Sequence, residues 1–178
     1  LTGQYGTYDF DWLNGQSYTA TGYLTLNGTN HYGNCGTICP TDAYTKMAVV
    51  RSNVWQASNI LSGSYLAFWA SSGHLQAGHT DTGYTDVSDG TLALHRWYLV
   101  AETYSPVNGR NLYVNGNLTA SAPSATVGAP PGEPIYLGAH QTTSYWNGDF
   151  AFAAVWAAEL DATEISQAYE HLRGRFGI

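Results

Sequence analysis

The amino-acid sequence predicts an all-β fold, a two-sheet antiparallel jelly-roll β-sandwich with a short C-terminal helix. Three observations predict this fold. Apolar and polar residues alternate at the two-residue period of β-strands, most clearly over residues 95–122. Glycine is abundant, with 20 residues, and Asn-Gly pairs mark tight turns between the alternating segments. A helical pattern covers residues 161–172, and no linker divides the chain, so residues 1–178 are predicted to form one domain.

Residues 95–122 are predicted to form three consecutive antiparallel strands at the centre of the sandwich. Trp97, Leu99 and Ala101 share one face of the first strand, and Trp97 is predicted to be buried there. The opposite face is also largely apolar, which is typical of a central strand. The pair Asn115-Gly116 predicts a type I′ hairpin turn, because both central positions of that turn require a positive φ.

Alternation elsewhere predicts further strands in the ranges 1–26, 44–50, 65–70, 74–79, 135–138 and 150–156. The helix is predicted to begin at Asp161, whose side chain caps the first turn, and Glu164 completes a capping box. The apolar stripe of this helix consists of Ile165, Ala168, Tyr169 and Leu172.

The charge balance excludes several classes of partner. The sequence contains six Lys and Arg residues and 13 Asp and Glu residues, which gives a formal net charge of −7. Electrostatic binding to nucleic acid or to an anionic membrane is therefore not expected. No apolar run approaches the roughly 20 residues that span a bilayer, so membrane insertion is not predicted. The abundance of aromatic residues with few charges favours an extracellular, cell-surface or virion-surface location.

Two cysteines, Cys35 and Cys39, are separated by three residues. A disulfide that pins a surface loop is the favoured interpretation, and free thiols are the alternative. A metal site would need further ligands, for which His31 is the nearby candidate. His74 and His79 are five residues apart, so strand alternation places them on opposite faces and they are poor ligands for one zinc ion.

Three segments follow one another in a recognisable order: RWYLVAETY…NLYVNG, then IYLGA, then YWNGDFAFAAVWAAELDATEI…YEHLRGRFGI. This order resembles the laminin-G-like / concanavalin A-like lectin–glucanase superfamily, in its bacterial and phage-associated form. The resemblance covers residues 44–178 and implies a two-sheet antiparallel jelly roll. It also implies that rim aspartates bind Ca²⁺, for which Asp81, Asp86 and Asp89 are the candidates; the alternative is a solvated acidic turn.

One acidic motif matches the pattern of retaining glucanases on this superfold. Glu159, Asp161 and Glu164 follow the order Glu-x-Asp-x-x-Glu. Those enzymes need two carboxylates on a strand of an open sheet, about 5 Å apart. Here the motif lies where a strand meets a helix, and helix capping already explains Asp161 and Glu164. The sequence therefore predicts a protein that is not an enzyme, with a glycoside hydrolase as the third option.

The surplus of aromatic residues suggests a surface that binds a ligand. Flat aromatic rings stack on sugars, while amide and carboxylate groups bind hydroxyls; packing or a protein interface is the alternative. Glu102 either lines a groove or pairs with Arg51 or Arg110, and pairing is favoured because a buried charge needs a partner. The candidate ligand-binding residues are Trp69, Gln76, Tyr84, Glu102, Tyr145, Trp146 and Asn147.

The sequence thus predicts a non-catalytic extracellular carbohydrate-binding or adhesion module whose partner is a glycan or surface polysaccharide. The alternative is a structural subunit of a virion, tail fibre or surface filament, whose partners are copies of itself or other subunits.

Overall fold

The computed structural model describes residues 11–13, 22–38, 40, 42–79, 87–89, 92–123 and 133–178. All strand pairs are antiparallel, and one helix follows the last strand. The elements are β1 (Asp11–Leu13), β2 (Leu24–Asn27), β3 (Tyr32–Asn34), β4 (Tyr44–Ser52), β5 (Ser58–Asn59), β6 (Leu61–Ser62), β7 (Leu66–Ser71), β8 (His74–His79), β9 (Val87–Asp89), β10 (Trp97–Ser105), β11 (Gly109–Val114), β12 (Asn117–Ala122), β13 (Tyr136–Leu137), β14 (Asn147–Trp156) and α1 (Ala162–Phe176).

The strands form two layers. One layer is a six-stranded sheet in the order β12-β11-β10-β4-β14-β2. The other combines two four-stranded sheets, β1-β3-β13-β6 and β5-β7-β8-β9. These two are continuous because only Ile60 separates β5 from β6, and its N–H donates to the carbonyl of Phe68 in β7 at 2.8 Å. We call this second layer the composite sheet. The predicted two-sheet antiparallel sandwich is confirmed.

The main hydrophobic core lies between the two layers. From the six-stranded sheet, Val100 and Leu112 point into it; from the composite sheet, Leu66, Phe68 and Leu75 do so. Each such side chain contributes about 1.5–3 kcal/mol when it is fully removed from water. This burial is what holds the layers together face to face.

A second cluster covers the outer face of the six-stranded sheet. It consists of Met47, Val49, Leu99, Ala101 and Tyr113 from the sheet and Ile165 and Leu172 from α1. β4 and β10 are thus buried on both faces. Trp97, expected in the core, belongs to this outer face and is only partly buried beside the helix. Both faces of β10 are apolar, so the alternation of residues does not indicate which face meets the other layer. The prediction that Trp97 lies in the core was wrong for that reason.

The helix begins as the sequence predicts. The Asp161 carboxylate accepts the Glu164 N–H at 2.9 Å, and the Glu164 carboxylate accepts the Asp161 N–H at 2.9 Å, which forms a capping box. The helix runs four residues beyond the predicted end and stops at Gly177, whose φ of 68° is left-handed. In the described part of the chain, no helix is long and apolar enough to cross a bilayer.

The predicted hairpin turn is also confirmed. Asn115 and Gly116 have φ values of 49° and 78°, as a type I′ turn requires, and they connect β11 to β12. The Asn115 side-chain oxygen accepts the backbone N–H of Leu99 at 3.0 Å, so the turn is tied to the adjacent strand β10. This bond gives asparagine a structural role at the turn in addition to its tolerance of positive φ.

Candidate functional site

The outer face of the composite sheet contains the candidate site. Because α1 packs against the outer face of the six-stranded sheet, the corresponding face of the composite sheet is the one that the helix leaves open. In β7, Leu66, Phe68 and Ala70 point into the core, so Trp69 between them points outward and is partly exposed. The predicted position of Trp69 opposite the core is confirmed.

Strand register brings two of the predicted binding residues together. Trp69 in β7 is the direct cross-strand partner of Gln76 in β8, and on its other side it pairs with Asn59 in β5. Neighbouring strands lie about 4.8 Å apart. An aromatic ring thus stands between two amide side chains on one face of the sheet.

Trp69 forms part of the lining of a pocket of about 190 Å³. The pocket offers one aromatic surface, small apolar side chains, an amide, an imidazole and a hydroxyl group. The Nε2 atom of His140 is buried in the wall of the pocket and has no hydrogen-bond partner within the described structure. Such a combination can stack on an apolar face and bind hydroxyl groups at its edges. The lining residues are Ala57, Asn59, Ala67, Trp69, His140 and Ser144.

The loop that carries His140 and Ser144 has an unusual backbone. Gln141 and Ser144 have φ values of 56° and 50°, a region that non-glycine residues rarely adopt. Hydrogen bonds hold this conformation: His140 and Thr143 exchange backbone bonds of 3.0 Å, and the Asn59 N–H donates to the Ser144 carbonyl at 3.0 Å. Backbone strain that the surroundings hold in place is common at functional sites.

A cluster of three tyrosines lies beside this loop. The ring of Tyr32 is 5.9 Å from that of Tyr145 and 6.0 Å from that of Tyr136, measured between centroids. The Tyr145 hydroxyl donates to the Thr142 carbonyl at 2.6 Å, which fixes the ring. Burial, and to a smaller extent Tyr32 and Glu133, raises the pKa of Tyr136, so this phenol stays protonated at neutral pH.

Two predicted binding residues lie in the interior instead. Trp146 is 1% exposed, stacks edge-on against Phe150 at 5.6 Å and belongs to the main core. Glu102 is fully buried between the layers. Neither side chain can touch a ligand at the surface, and these two predictions are corrected.

Asn147 begins β14 in the six-stranded sheet, where its side-chain oxygen accepts a hydrogen bond from the Asn53 side-chain amide at 3.2 Å.

Glu102 is the centre of a buried charged network. Its carboxylate accepts hydrogen bonds from Lys46 Nζ at 3.0 Å and from the Tyr44 hydroxyl at 2.6 Å, and it lies 3.4 Å from Arg110 Nε. All four side chains are at most 2% exposed. The predicted pairing with Arg110 is confirmed. Arg51, the other candidate partner, instead forms an ion pair of 2.8 Å with Asp149 on the opposite face of the sheet.

His79 links this network to the composite sheet. Because the Tyr44 hydroxyl donates to Glu102, its oxygen accepts a hydrogen bond from His79 Nε2–H, at 2.7 Å. Burial, together with the nearby charges of Arg110 and Lys46, lowers the pKa of His79 to about 3. Burial and the Glu102 charge raise the pKa of Tyr44 well above its ordinary value. His74 is exposed on the other face of the same strand, as the spacing of the two histidines predicts.

We expect the His79→Gln variant to be less sensitive to acid than the wild type. An unfolded chain binds a proton at His79 near pH 6.5, whereas the folded chain does so only near pH 3. The histidine therefore costs no stability above pH 6.5, and stability is lost as the pH falls from there toward 3. Between about pH 7.5 and about pH 5 the wild type should lose about 2 kcal/mol more free energy of unfolding than the variant.

Urea unfolding at the two pH values measures this difference. His74→Gln, on the exposed face of the same strand, is the matched control and should keep the wild-type dependence on pH. If His79→Gln loses as much stability as the wild type on acidification, the proposed neutral, buried state of His79 is wrong.

The remaining predicted sites lie elsewhere. Glu159 accepts a hydrogen bond from the Asn108 side chain at 2.8 Å, next to the capping box of Asp161 and Glu164. Asp81, Tyr84 and Asp86 lie outside the described residues, as does the side chain of Asp89, whose backbone pairs within β9. Within the described ranges, no three His, Cys, Asp or Glu side chains are grouped to hold a metal.

Cys35 belongs to the main hydrophobic core and is a free thiol rather than half of a disulfide. Burial raises the pKa of this thiol to about 12, so it is unreactive at neutral pH. Cys39, its predicted partner, lies outside the described residues.

Sequence reasoning missed several pocket residues. Asn59, His140 and Ser144 come from short segments without a strand or motif pattern, and only the fold brings them to Trp69. The sequence predicts Tyr136 only as part of the short strand over residues 135–138. The available signal was the alternation of Tyr136 with the buried Leu137, which places the tyrosine on the outer face.

The architecture is that of a jelly-roll sandwich of the lectin type, and the comparison with protein families agrees. The chain belongs to the concanavalin A-like lectin/glucanases superfamily, whose laminin G family model matches residues 19–166. The comparison with curated protein sequences found no match.

Solved structures share this fold at low sequence identity. A native heptameric SAP-like pentraxin from Limulus polyphemus superposes with a TM-score of 0.67 at 16% identity, over 83% of this chain and 81% of the pentraxin. The binding domain of botulinum neurotoxin DC, in complex with SialylT, gives 0.72 at 12% identity, over 93% and 47%. A Trypanosoma rangeli sialidase in complex with sialic acid gives 0.68 at 13% identity, over 86% and 28%. The chain thus spans less than half of the last two proteins.

Proposed function

We propose that this protein is a non-catalytic glycan-binding module whose ligand binds on the outer face of the composite sheet, at Trp69. The observation that carries the proposal is the pocket itself. The ring of Trp69 lines this pocket together with Asn59 and with His140, whose buried Nε2 has no partner among the residues that the structure describes. An aromatic face stacks on the C–H face of a sugar, and the exposed Ser144 at the edge of the pocket offers a hydroxyl to the sugar hydroxyls. The Asn59 amide is held within the protein by Ser62 Oγ at 2.6 Å and by the Ser144 carbonyl at 3.5 Å, and it shapes the pocket.

The absence of catalysis is supported by where the carboxylates lie. Hydrolysis of a glycosidic bond by the common mechanism needs two carboxyl groups on either side of the bond, roughly 5–10 Å apart. The described pocket lining contains neither Asp nor Glu. Glu102 is sealed between the layers, and Asp161 and Glu164 satisfy the first turn of a helix.

The similar structures support a ligand of this class. The sialidase is in complex with sialic acid and the neurotoxin binding domain is in complex with SialylT, and both proteins share this sandwich. A glycan partner is also consistent with an extracellular or cell-surface location, where such ligands are found. We therefore propose adhesion to a glycan or surface polysaccharide as the biological role.

Replacing Trp69 with alanine should abolish most glycan binding. Truncating a central aromatic contact costs about 2 kcal/mol or more, so the affinity should fall at least about thirtyfold. A glycan array identifies the ligand, and calorimetric titration then measures its affinity for each variant. Trp69→Phe, which keeps an aromatic face, should retain part of the affinity.

Leu118→Ala is the control, because Leu118 is an exposed apolar residue of β12 on the other sheet, with 54% of its surface accessible. This variant should bind like the wild type. If the protein binds no glycan, and forms a symmetric oligomer in which Trp69 is covered, the proposal fails and the structural-subunit hypothesis replaces it.

A further inference from the structure

The positions of the basic residues restrict the chemistry of the ligand. The sequence contains six Lys and Arg residues. None of them belongs to the composite sheet: Lys46 and Arg51 lie in β4, Arg96 directly precedes β10, Arg110 lies in β11, and Arg173 and Arg175 lie in α1. Lys46 and Arg110 are buried in the core and hold Glu102, and Arg51 is paired with Asp149.

An acidic sugar would find no Lys or Arg partner on the strands of the composite sheet. Proteins hold sugar carboxylates most strongly with Arg or Lys, through charge-assisted hydrogen bonds. The groups at the pocket are instead an amide, an imidazole and a hydroxyl, which suit the hydroxyls of an uncharged sugar. The formal net charge of −7 further disfavours an anionic ligand.

The outward-facing residues form a row that runs across the strands. Gln76, Trp69 and Asn59 are successive cross-strand partners. The row continues through Ser144, whose carbonyl accepts the Asn59 N–H at 3.0 Å. Its neighbour Tyr145 then reaches Tyr32 of β3, with 5.9 Å between ring centroids. We call this the transverse row: Gln76, Trp69, Asn59, Ser144, Tyr145 and Tyr32.

The length of the row exceeds one sugar ring. From Trp69 in β7 to Tyr32 in β3 the composite sheet crosses three strand spacings, because the β5–β6 segment and β13 lie between them. Three spacings amount to about 14 Å. Only a chain of linked sugars can contact both aromatic residues at once. Tyr145 packs beside Tyr32 at the far end of this interval, and the polar residues Asn59 and Ser144 lie between Tyr145 and Trp69.

We infer that the ligand is an uncharged oligosaccharide chain that lies across the strands, with Trp69 and Tyr32 in contact with different sugar units. This inference rests on the proposed function and adds the charge and the length of the ligand. Trp69, with the pocket, forms the primary subsite. Tyr32 and Tyr145 form a second subsite that only longer chains reach.

Two binding experiments test the inference. A glycan array presents each neutral glycan beside its sialylated or uronate-bearing counterpart, and the neutral member of each bound pair should give the stronger signal. Calorimetric titration then uses one to six linked units of the best neutral ligand. The affinity should rise about tenfold or more once the chain is long enough to reach the second subsite.

The variant Tyr32→Leu separates the two subsites. It keeps an apolar side chain but removes the flat ring, so it should lower the affinity for the longest chains to that for short ones and leave the affinity for short chains unchanged. Trp69→Ala should weaken both. Circular dichroism and urea unfolding confirm that each variant is folded, and Leu118→Ala again serves as the control.

The outcomes distinguish this inference from the proposed function. Preferential binding of acidic glycans, or an affinity that does not depend on chain length, would overturn the inference while the glycan-binding function stands. Equal loss of short-chain and long-chain affinity in Tyr32→Leu would overturn the second subsite. Failure of every glycan to bind would instead overturn the proposed function itself.

Discussion

Replacing Glu102 with alanine should lower the free energy of unfolding by about 3–5 kcal/mol, because two buried cations then lose their counter-charge. Lys46 and Arg110 are 0% and 2% exposed, and both contact the Glu102 carboxylate. The Tyr44 hydroxyl also loses its bond to the Glu102 carboxylate and keeps only the one to His79 Nε2.

A matched control uses an exposed pair. Glu170 and Arg173 form an ion pair of 2.9 Å on α1, with more than half of each side chain exposed. Glu170→Ala should therefore cost less than about 1 kcal/mol. Urea unfolding measures both variants.

A third variant separates charge from packing. Replacing Lys46, Glu102 and Arg110 together by Met, Leu and Met removes the whole set of charges, and it should recover most of the stability that Glu102→Ala loses. A loss of less than about 1 kcal/mol for Glu102→Ala would show that the network is solvated and would contradict its burial.

The sequence predicted the longer strands and the helix because these depend on local patterns, whereas the short strands β3, β5, β6 and β9 were not predicted. Asn115-Gly116 requires a turn with positive φ at both residues, and Asp161 with Glu164 requires a helix start; both hold in the structure. A hairpin turn and a helix start depend mainly on residues that are close together in the sequence, so the sequence pattern is enough to predict them.

The faces of the central strands could not be assigned in the same way. β10 is apolar on both sides, so alternation alone does not say which side meets the other layer and which meets the helix. Glu102, the one charged residue of that strand, was ambiguous for the same reason. Its burial depends on Lys46 and Arg110, which reach it from two different strands.

The candidate site was predicted in part. Trp69 and Gln76 follow from strand alternation, and the short turn at Ser72-Gly73 places them opposite one another. The pocket residues Asn59 and His140 are far apart in sequence and have no periodic pattern, so only tertiary structure unites them. An aromatic residue in a loop is equally ambiguous: Tyr145 lies at the surface, whereas its neighbour Trp146 lies in the core.

Replacing Trp146 with alanine should therefore act on stability and not on the ligand. Trp146 is 1% exposed and packs on Phe150, so its truncation leaves a large cavity and should cost about 3–5 kcal/mol in free energy of unfolding. Trp146→Phe should cost much less. It retains a ring, and it removes an indole N–H that has no hydrogen-bond partner among the described residues.

The variants of Trp69 and Trp146 should differ in whether they lose glycan affinity or stability. Trp69→Ala should lose glycan affinity with a smaller loss of stability, because Trp69 is partly exposed on the outer face. Trp146→Phe should keep the glycan affinity of the wild type, since its ring points into the core. Urea unfolding and calorimetric titration on the same samples measure both effects. A Trp146→Phe variant that folds normally but no longer binds glycan would place Trp146 in the binding site and contradict the burial that assigns it to the core.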